Sequence, residues 1–255
     1  MKYNRFLPLI VPLLTLIFLE TFFFNPKLLY IIFVLIFLLF FFTTRQFTLA
    51  SKRGGKWWNY IILPFSFFSS LTIFSTMIPS KLLVQILFLI NTVFLYYYFR
   101  SIFFNLIKEN YYQKYSLENL SSYGNFLAVY FWASSLFGLQ VFLGIQTWML
   151  MTVLLLIIAL IVYEVMQANN INLREGVIYI LLICLVLTEV AWSASFLTLS
   201  FYILGLIIAV CYYILIGLTR FYLLKRLNAR LIKLYLIFGF SSIAIVLFTA
   251  RWISN

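Results

Sequence analysis

The chain has 255 residues, of which 65% are hydrophobic and 9% are charged. Because an ordinary soluble domain has about 25% charged residues, this composition excludes a globular fold whose whole surface faces water. The formal net charge is +12, from 18 lysines and arginines against six acids, and its distribution along the chain indicates membrane topology instead of a nucleic-acid partner.

Nine apolar segments follow one another along the chain, each of a length suited to crossing roughly 30 Å of hydrocarbon as a helix. The segments are continuous instead of alternating between apolar and polar residues, so they predict helices and not a β-barrel. No small-residue cleavage site follows the first segment, which is therefore expected to remain as the first spanning helix. The predicted spans are residues 6–24, 28–43, 58–78, 82–104, 123–143, 147–167, 176–193, 200–218 and 234–250.

The predicted fold class is an all-α integral membrane protein with about nine transmembrane helices, arranged as four helical hairpins and a closing helix. An eight-span version, without the segment 176–193 or without the last helix, stays open. We expect a single polytopic domain over residues 1–255 with no separate soluble domain. The longest polar stretch, residues 100–125, has room only for a short interfacial helix or an ordered loop.

Lysines and arginines concentrate in alternate connections between the predicted spans, as in RQFTLASKRGGKWWNY and RFYLLKRLNARLIK. Basic residues accumulate on the cytoplasmic side of membrane proteins, so the N-terminus is predicted to be cytoplasmic and the C-terminus extracytoplasmic. The abundance of Phe, Ile, Lys, Asn and Tyr is typical of an AT-rich bacterial genome, which favours the plasma (inner) membrane of a bacterium.

The basic loops also predict the partners of the chain. They are expected to attract anionic lipid headgroups, while topology already explains their charge without a nucleic acid. Membrane lipids and other membrane proteins are therefore the expected partners, and the oligomeric state stays open. The candidate anionic-lipid contacts are Lys52, Arg53, Lys56, Arg220, Lys225 and Arg226.

Few side chains could carry chemistry. The chain has no histidine and all six acids are glutamates, so a Ser-His-Asp or Cys-His apparatus cannot be built. Cys184 and Cys211 lie within apolar runs, where packed thiols are the simpler interpretation, and no metal site, cofactor or catalytic residue is predicted. Four glutamates are expected in or near cytoplasmic loops, in contact with water: Glu109, Glu118, Glu164 and Glu175.

The other two glutamates, Glu20 and Glu189, are predicted at about the same depth in the outer leaflet. Each follows an arginine by a distance that corresponds to about 22 Å of helix. An acid at that depth is expected to face protein or a water-filled pocket. One interpretation is structural pairing with the outer basic residues Lys27, Lys81 and Arg251. The other is a polar cavity, with Gln85 and Asn91 as further candidates, that binds a proton or a cation.

The remaining polar and small residues favour helix packing. Amides such as Gln85, Asn91 and Gln140 usually hydrogen-bond between helices. The hydroxyl-rich third segment, residues 58–78, can donate its hydroxyls to its own backbone. The spacings Ser134/Gly138 and Gly205/Ala209 predict close contacts between helices.

Three classes of function stay open. The first is a non-enzymatic membrane component or assembly partner, which fits the scarcity of chemical groups. The second is a small transporter or lipid-handling protein that uses the outer-leaflet glutamates. The third is a membrane transferase that acts on a lipid-linked substrate. The segments EVAWSASFLTLSFYILGL and GLTRFYLLKRL resemble parts of multi-spanning bacterial proteins, and this resemblance implies no activity.

Overall fold

The structure is a computed structural model, which describes residues 6–51, 57–108, 111–113, 116–169, 171 and 173–249, with the side chains of residues 173–175 left out. Within these residues the chain forms helices and no strand, which confirms the predicted all-α membrane class. The helices are α1 (Leu7–Phe24), α2 (Leu29–Ala50), α3 (Trp58–Ser75), α4 (Lys81–Leu106), α5 (Ser116–Leu143), α6 (Thr147–Ala168), α7 (Leu173–Ala194), α8 (Phe201–Leu223) and α9 (Ala229–Thr249).

Each helix covers one predicted span, and several extend beyond it into the basic connections. α2 ends at Ala50 and not at residue 43, and α5 begins at Ser116 and not at residue 123. Hydrocarbon thickness limits only the apolar part of a helix, and the headgroup layers bring a bilayer to about 40–45 Å. A helix therefore continues beyond its apolar segment, because its own backbone hydrogen bonds hold it together at any depth.

Eight helices of the described residues are long and apolar enough to cross a membrane, and α3 is the one that falls outside this set. The eight-span alternative from the sequence pointed instead to residues 176–193 or to the last helix, and both of these meet the criterion. α3 carries Ser and Thr residues along its second half, and twelve of its 18 residues are buried. A helix enclosed by protein needs less apolar surface than one that faces lipid.

The chain divides into two compact units, Met1–Gly124 and Asn125–Asn255. The expectation of a single domain stays a prediction. In the first unit, α1 packs extensively against α4, and α3 lies against α2 and α4. Aromatic rings fill much of these contacts: the rings of Phe37 and Phe65 are 5.3 Å apart and nearly perpendicular, and those of Phe67 and Phe94 are 4.2 Å apart.

In the second unit, α7 packs against α6 and α8, and α9 packs against α8. The crossing of α5 and α8 is very close, because a Cβ atom built on Gly205 would lie 2.7 Å from the backbone nitrogen of Ser134. This confirms the close contact that the small-residue spacings predicted. Gly217 has the same role against the ring of Tyr235 on α9, a contact that no spacing in the sequence indicated.

The predicted breaks between helices have the expected local chemistry. Pro26 begins a short 3₁₀ turn after α1, the Ser80 side chain caps the N-terminus of α4, and Gly144 has a φ of +62°, a conformation that favours glycine. The hydroxyls of α3 donate to carbonyls of their own helix, for example Thr72 to Phe68 at 2.7 Å. The prediction that these groups are locally satisfied is confirmed.

Candidate functional site

Two of the predicted site residues meet on neighbouring helices. Gln85 on α4 donates through Nε2 to Oε2 of Glu20 on α1 at 3.1 Å, and both side chains are half-buried. Among the described residues, the carboxylate of Glu20 is held by this amide and not by Lys27 or Lys81, which are both exposed. An interhelical hydrogen bond of this kind ties α1 to α4. Arg251, the third expected partner, lies outside the described residues.

Glu20 also lines an open groove of about 490 Å³ at the end of α1. The groove is mostly apolar, with Leu16, Ile17 and Phe24 on its walls and Asn25 at the turn that follows. Gln85 donates to one carboxylate oxygen of Glu20. The site therefore consists of a single acid, held by one amide, beside an apolar wall. The predicted polar cavity near Glu20 stays a prediction, because the groove is open and its lining is mostly apolar.

Asn91, the third candidate, lies further along α4 and is fully buried. Neither atom of its side-chain amide has a hydrogen-bond partner among the described residues. The interhelical bond that the sequence led us to expect is therefore present at Gln85 and absent here. A buried amide without a partner costs free energy.

Glu189, the fourth candidate, belongs to the second unit and is exposed. It lies on the face of α7 that also carries Leu182, Leu185 and Trp192, all more than half exposed. The opposite face of α7, with Ile183 and Leu187, is buried. The structure thus places a carboxylate on an exposed apolar face, close to the C-terminal end of α7. A cavity that unites it with Glu20 stays a prediction.

The candidate lipid contacts are only partly described. Lys52, Arg53 and Lys56 lie outside the described residues. Lys225 and Arg226 are exposed beyond the end of α8, where Lys225 adopts a φ of +55°. The Arg220 guanidinium lies 5.3 Å from the centre of the Phe221 ring. Their contact with anionic lipid stays a prediction.

A buried polar pair in the second unit was missed by the sequence reasoning. Asn125 on α5 donates through Nδ2 to Oε2 of Glu164 on α6 at 2.5 Å, and both side chains are buried. Tyr212 on α8 is also fully buried, and its hydroxyl has no hydrogen-bond partner among the described residues. The expectation that Glu164 lies in contact with water is wrong.

The cause of this error is the packing between helices, which the sequence does not show. Both residues already lay within the predicted spans 123–143 and 147–167, and the structure packs Asn125 on α5 beside Glu164 on α6. A buried carboxylate needs a hydrogen-bonding partner, and a search for an amide near the start of the preceding span could have suggested this pair. Of the other glutamates, Glu118 accepts a hydrogen bond from Tyr112 at 3.0 Å. Glu109 and the side chain of Glu175 lie outside the described part of the chain.

Most of the chain matches a known protein family. The profile of the family described as "Protein of unknown function (DUF5656)" matches residues 29–249. The chain belongs to the DUF5656 family. The DUF5656 match begins with α2, so it takes in Gln85, Asn91, Glu164 and Glu189 but neither α1 nor its Glu20. No curated protein and no solved structure shows significant similarity to this DUF5656 member.

Proposed function

We propose that this multi-pass membrane protein is a non-enzymatic membrane component that assembles with another transmembrane protein through the exposed face of α7. The observation that carries the proposal is the position of Glu189 on that face, with Leu185 one turn before it and Trp192 about one turn after it. Acids within membrane helices rarely face lipid, and they mark sites of interaction because a charge exposed to hydrocarbon costs free energy, about 1–3 kcal/mol at the depth predicted for Glu189.

The chemistry of this face defines the partner that it fits. A helix with apolar residues opposite Leu182 and Leu185, and with a basic, amide or hydroxyl donor opposite Glu189, would remove the carboxylate from lipid and give it a hydrogen bond. A second copy of this chain fits less well, because a two-fold dimer through the same face would bring two Glu189 carboxylates toward each other. The proposal therefore commits to a helix of a different protein.

Site-specific photo-crosslinking in the native membrane tests this proposal. A photoreactive residue in place of Leu185 should give a discrete adduct with another protein, while the same residue at Ile237, which is exposed on α9, should give none. Glu189→Leu should abolish the adduct, and Glu189→Gln should retain much of it because the amide still accepts and donates hydrogen bonds. Equal adducts from both positions, or an adduct that contains a second copy of this chain, would contradict the proposal.

A second candidate is a transporter or lipid-handling protein, and the groove beside Glu20 favours it. In that case the negative charge of Glu20 matters and not only its hydrogen bond to Gln85. Glu20→Gln and Glu189→Gln would then impair growth or transport while the Leu185 adduct and the folded yield stay unchanged. Unchanged growth together with unchanged assembly in both variants would remove this candidate.

A further inference from the structure

A second groove lies in the first unit, where the beginning of α1 meets the end of α4. Its volume is about 480 Å³, within the range of roughly 300–1,000 Å³ that is usual for small-ligand clefts. Phe6, Pro8 and Leu9 line it from the α1 side, and residues between Tyr96 and Tyr111 line it from the α4 side. It is distinct from the groove beside Glu20, which lies at the other end of α1.

Two cations on the α4 side give this groove its charge. Arg100 and Lys108 both line it, and no carboxylate is found among the described residues of its lining. Glu109, which follows Lys108 in the chain, lies outside the described residues. A cleft that holds two positive charges and an apolar wall selects an anion that carries an apolar part.

Aromatic rings hold the two cations in place. The guanidinium carbon of Arg100 lies 5.8 Å from the centre of the Tyr96 ring and 5.5 Å from that of Phe104, and Nη1 donates to the Tyr96 hydroxyl at 3.2 Å. The Lys108 ammonium lies 5.5 Å from the centre of the Tyr111 ring. Guanidinium has five donors in a fixed fork, so it suits phosphate oxygens as well as the one hydroxyl that it contacts here.

The groove also lies where a lipid headgroup would be. α4 ends close by, at Leu106, and tyrosine rings at the end of a spanning helix are typical of the headgroup layer. The basic connection after α4 belongs to the side that the charge distribution predicts to be cytoplasmic. Acyl chains of that leaflet could lie against Leu9 and Phe6, which are both more than one-third exposed.

We propose that this groove binds the phosphate headgroup of an anionic phospholipid, with Arg100 and Lys108 on the phosphate and the apolar α1 residues against the acyl chains. The site is independent of the proposed partner face of α7. It gives the protein a specific lipid in addition to the diffuse attraction expected of its basic loops.

Native mass spectrometry of the full chain tests the proposal. The protein is reconstituted in nanodiscs of phosphatidylcholine with increasing amounts of phosphatidylglycerol. After the protein is released from the nanodisc, the phosphatidylglycerol molecules that stay bound to it are counted at each lipid composition. We expect one retained phosphatidylglycerol, with an affinity that falls about fivefold for each cation removed in Arg100→Gln and Lys108→Gln. Arg45→Gln, which removes an exposed charge on α2 outside the groove, is the matched control and should retain the lipid.

Two further variants keep the test decisive. Leu9→Trp fills the apolar wall without changing charge and should also reduce retention, whereas Arg100→Lys keeps the charge and should lose only part of it. Thermal unfolding of every variant in detergent shows that each one is folded. Equal retention by the wild type and the double variant Arg100→Gln/Lys108→Gln would overturn the proposal. An equal loss in Arg45→Gln would overturn it as well, as would displacement of the lipid by inorganic phosphate at equal concentration.

Discussion

Asn125 donates its side-chain amide to the carboxylate of Glu164 at 2.5 Å, between two helices and away from water. Asn125→Leu removes a donor from a buried acid, so we expect a loss of about 2–3 kcal/mol in the free energy of unfolding. Reversible unfolding in mixed micelles measures this loss. Glu164→Gln keeps a hydrogen-bonding group and should cost less. Wild-type stability in Asn125→Leu would contradict the importance of the pair.

The close crossing of α5 and α8 makes a prediction at Gly205. A methyl group there would overlap the backbone of Ser134, so Gly205→Ala should destabilise the protein by about 1–3 kcal/mol. Gly176→Ala is the matched control, because its new Cβ would meet Met166 side-chain atoms at an ordinary 3.8 Å. If the two alanine variants unfold at the same temperature, the crossing is looser than described.

The hydrogen bond between Glu20 and Gln85 predicts an energetic coupling between α1 and α4. A double-mutant cycle with Glu20→Leu and Gln85→Leu should give a coupling free energy of about 0.6 kcal/mol, the average found for such bonds in a membrane protein, and at most about 1.7 kcal/mol. The cycle is measured by the same unfolding experiment. A coupling near zero would show that the two side chains do not stabilise one another.

Asn91 should respond in the opposite direction to Asn125. Its amide is fully buried, and neither polar atom has a partner within the described residues. Asn91→Leu replaces it with an apolar side chain of similar volume, so we expect stability to rise by about 1–2 kcal/mol. A destabilised Asn91→Leu variant would mean that the amide has a partner in the membrane. Asn91 would then be a stronger candidate for a polar site than Glu20 or Glu189.

Tyr112, in the connection between α4 and α5, predicts a pH dependence. Partial burial raises the pKa of its hydroxyl, although the backbone N–H of Leu117 opposes the rise, and the hydrogen bond to Glu118 adds to it. A raised pKa means that the folded state favours the neutral phenol. The stabilising contribution is therefore fully present below the ordinary tyrosine value of about 10 and is lost as pH rises through the folded-state pKa.

Comparison with Tyr112→Phe isolates this contribution from that of other tyrosines and lysines. The wild type should be more stable than the variant at neutral pH, and the difference should shrink as pH rises above about 10. Reversible unfolding of both proteins in mixed micelles across this pH range is the measurement. A difference that grows with pH would reverse the assigned direction of the pKa shift.

The sequence predicted the helices well because the bilayer is a simple constraint. A segment that must cross hydrocarbon is long and apolar, so eight helices of the described residues could be read from hydropathy, while α3 is less apolar than the rest. Their ends were less predictable, as at Ala50 and Ser116, because beyond the hydrocarbon a helix stops according to local hydrogen bonds and not hydropathy.

The candidate site was only partly predictable for a different reason. Depth along a helix follows from counting residues, and this count placed Glu20 in the outer leaflet. It did not identify Gln85 as its partner, because the sequence pointed to Lys27, Lys81 or Arg251 instead. The neighbours of a helix do not follow from the count, so Asn125 was not paired with Glu164. The repeat of Tyr96, Arg100 and Phe104, with a residue every four positions, was a readable sign of one helix face, and Lys108 follows just beyond the end of α4.

The enclosed and hydroxyl-rich character of α3 has a consequence for biogenesis. An insertion machinery that samples segments one at a time would hold this helix only weakly, since its own transfer into lipid is marginal. Its integration must then wait for α4, whose aromatic side chains cover it, to emerge from the ribosome. The second hairpin of this chain would thus enter the bilayer as a pair, and a nascent chain arrested between the two helices would leave Trp58–Ser75 at the interface.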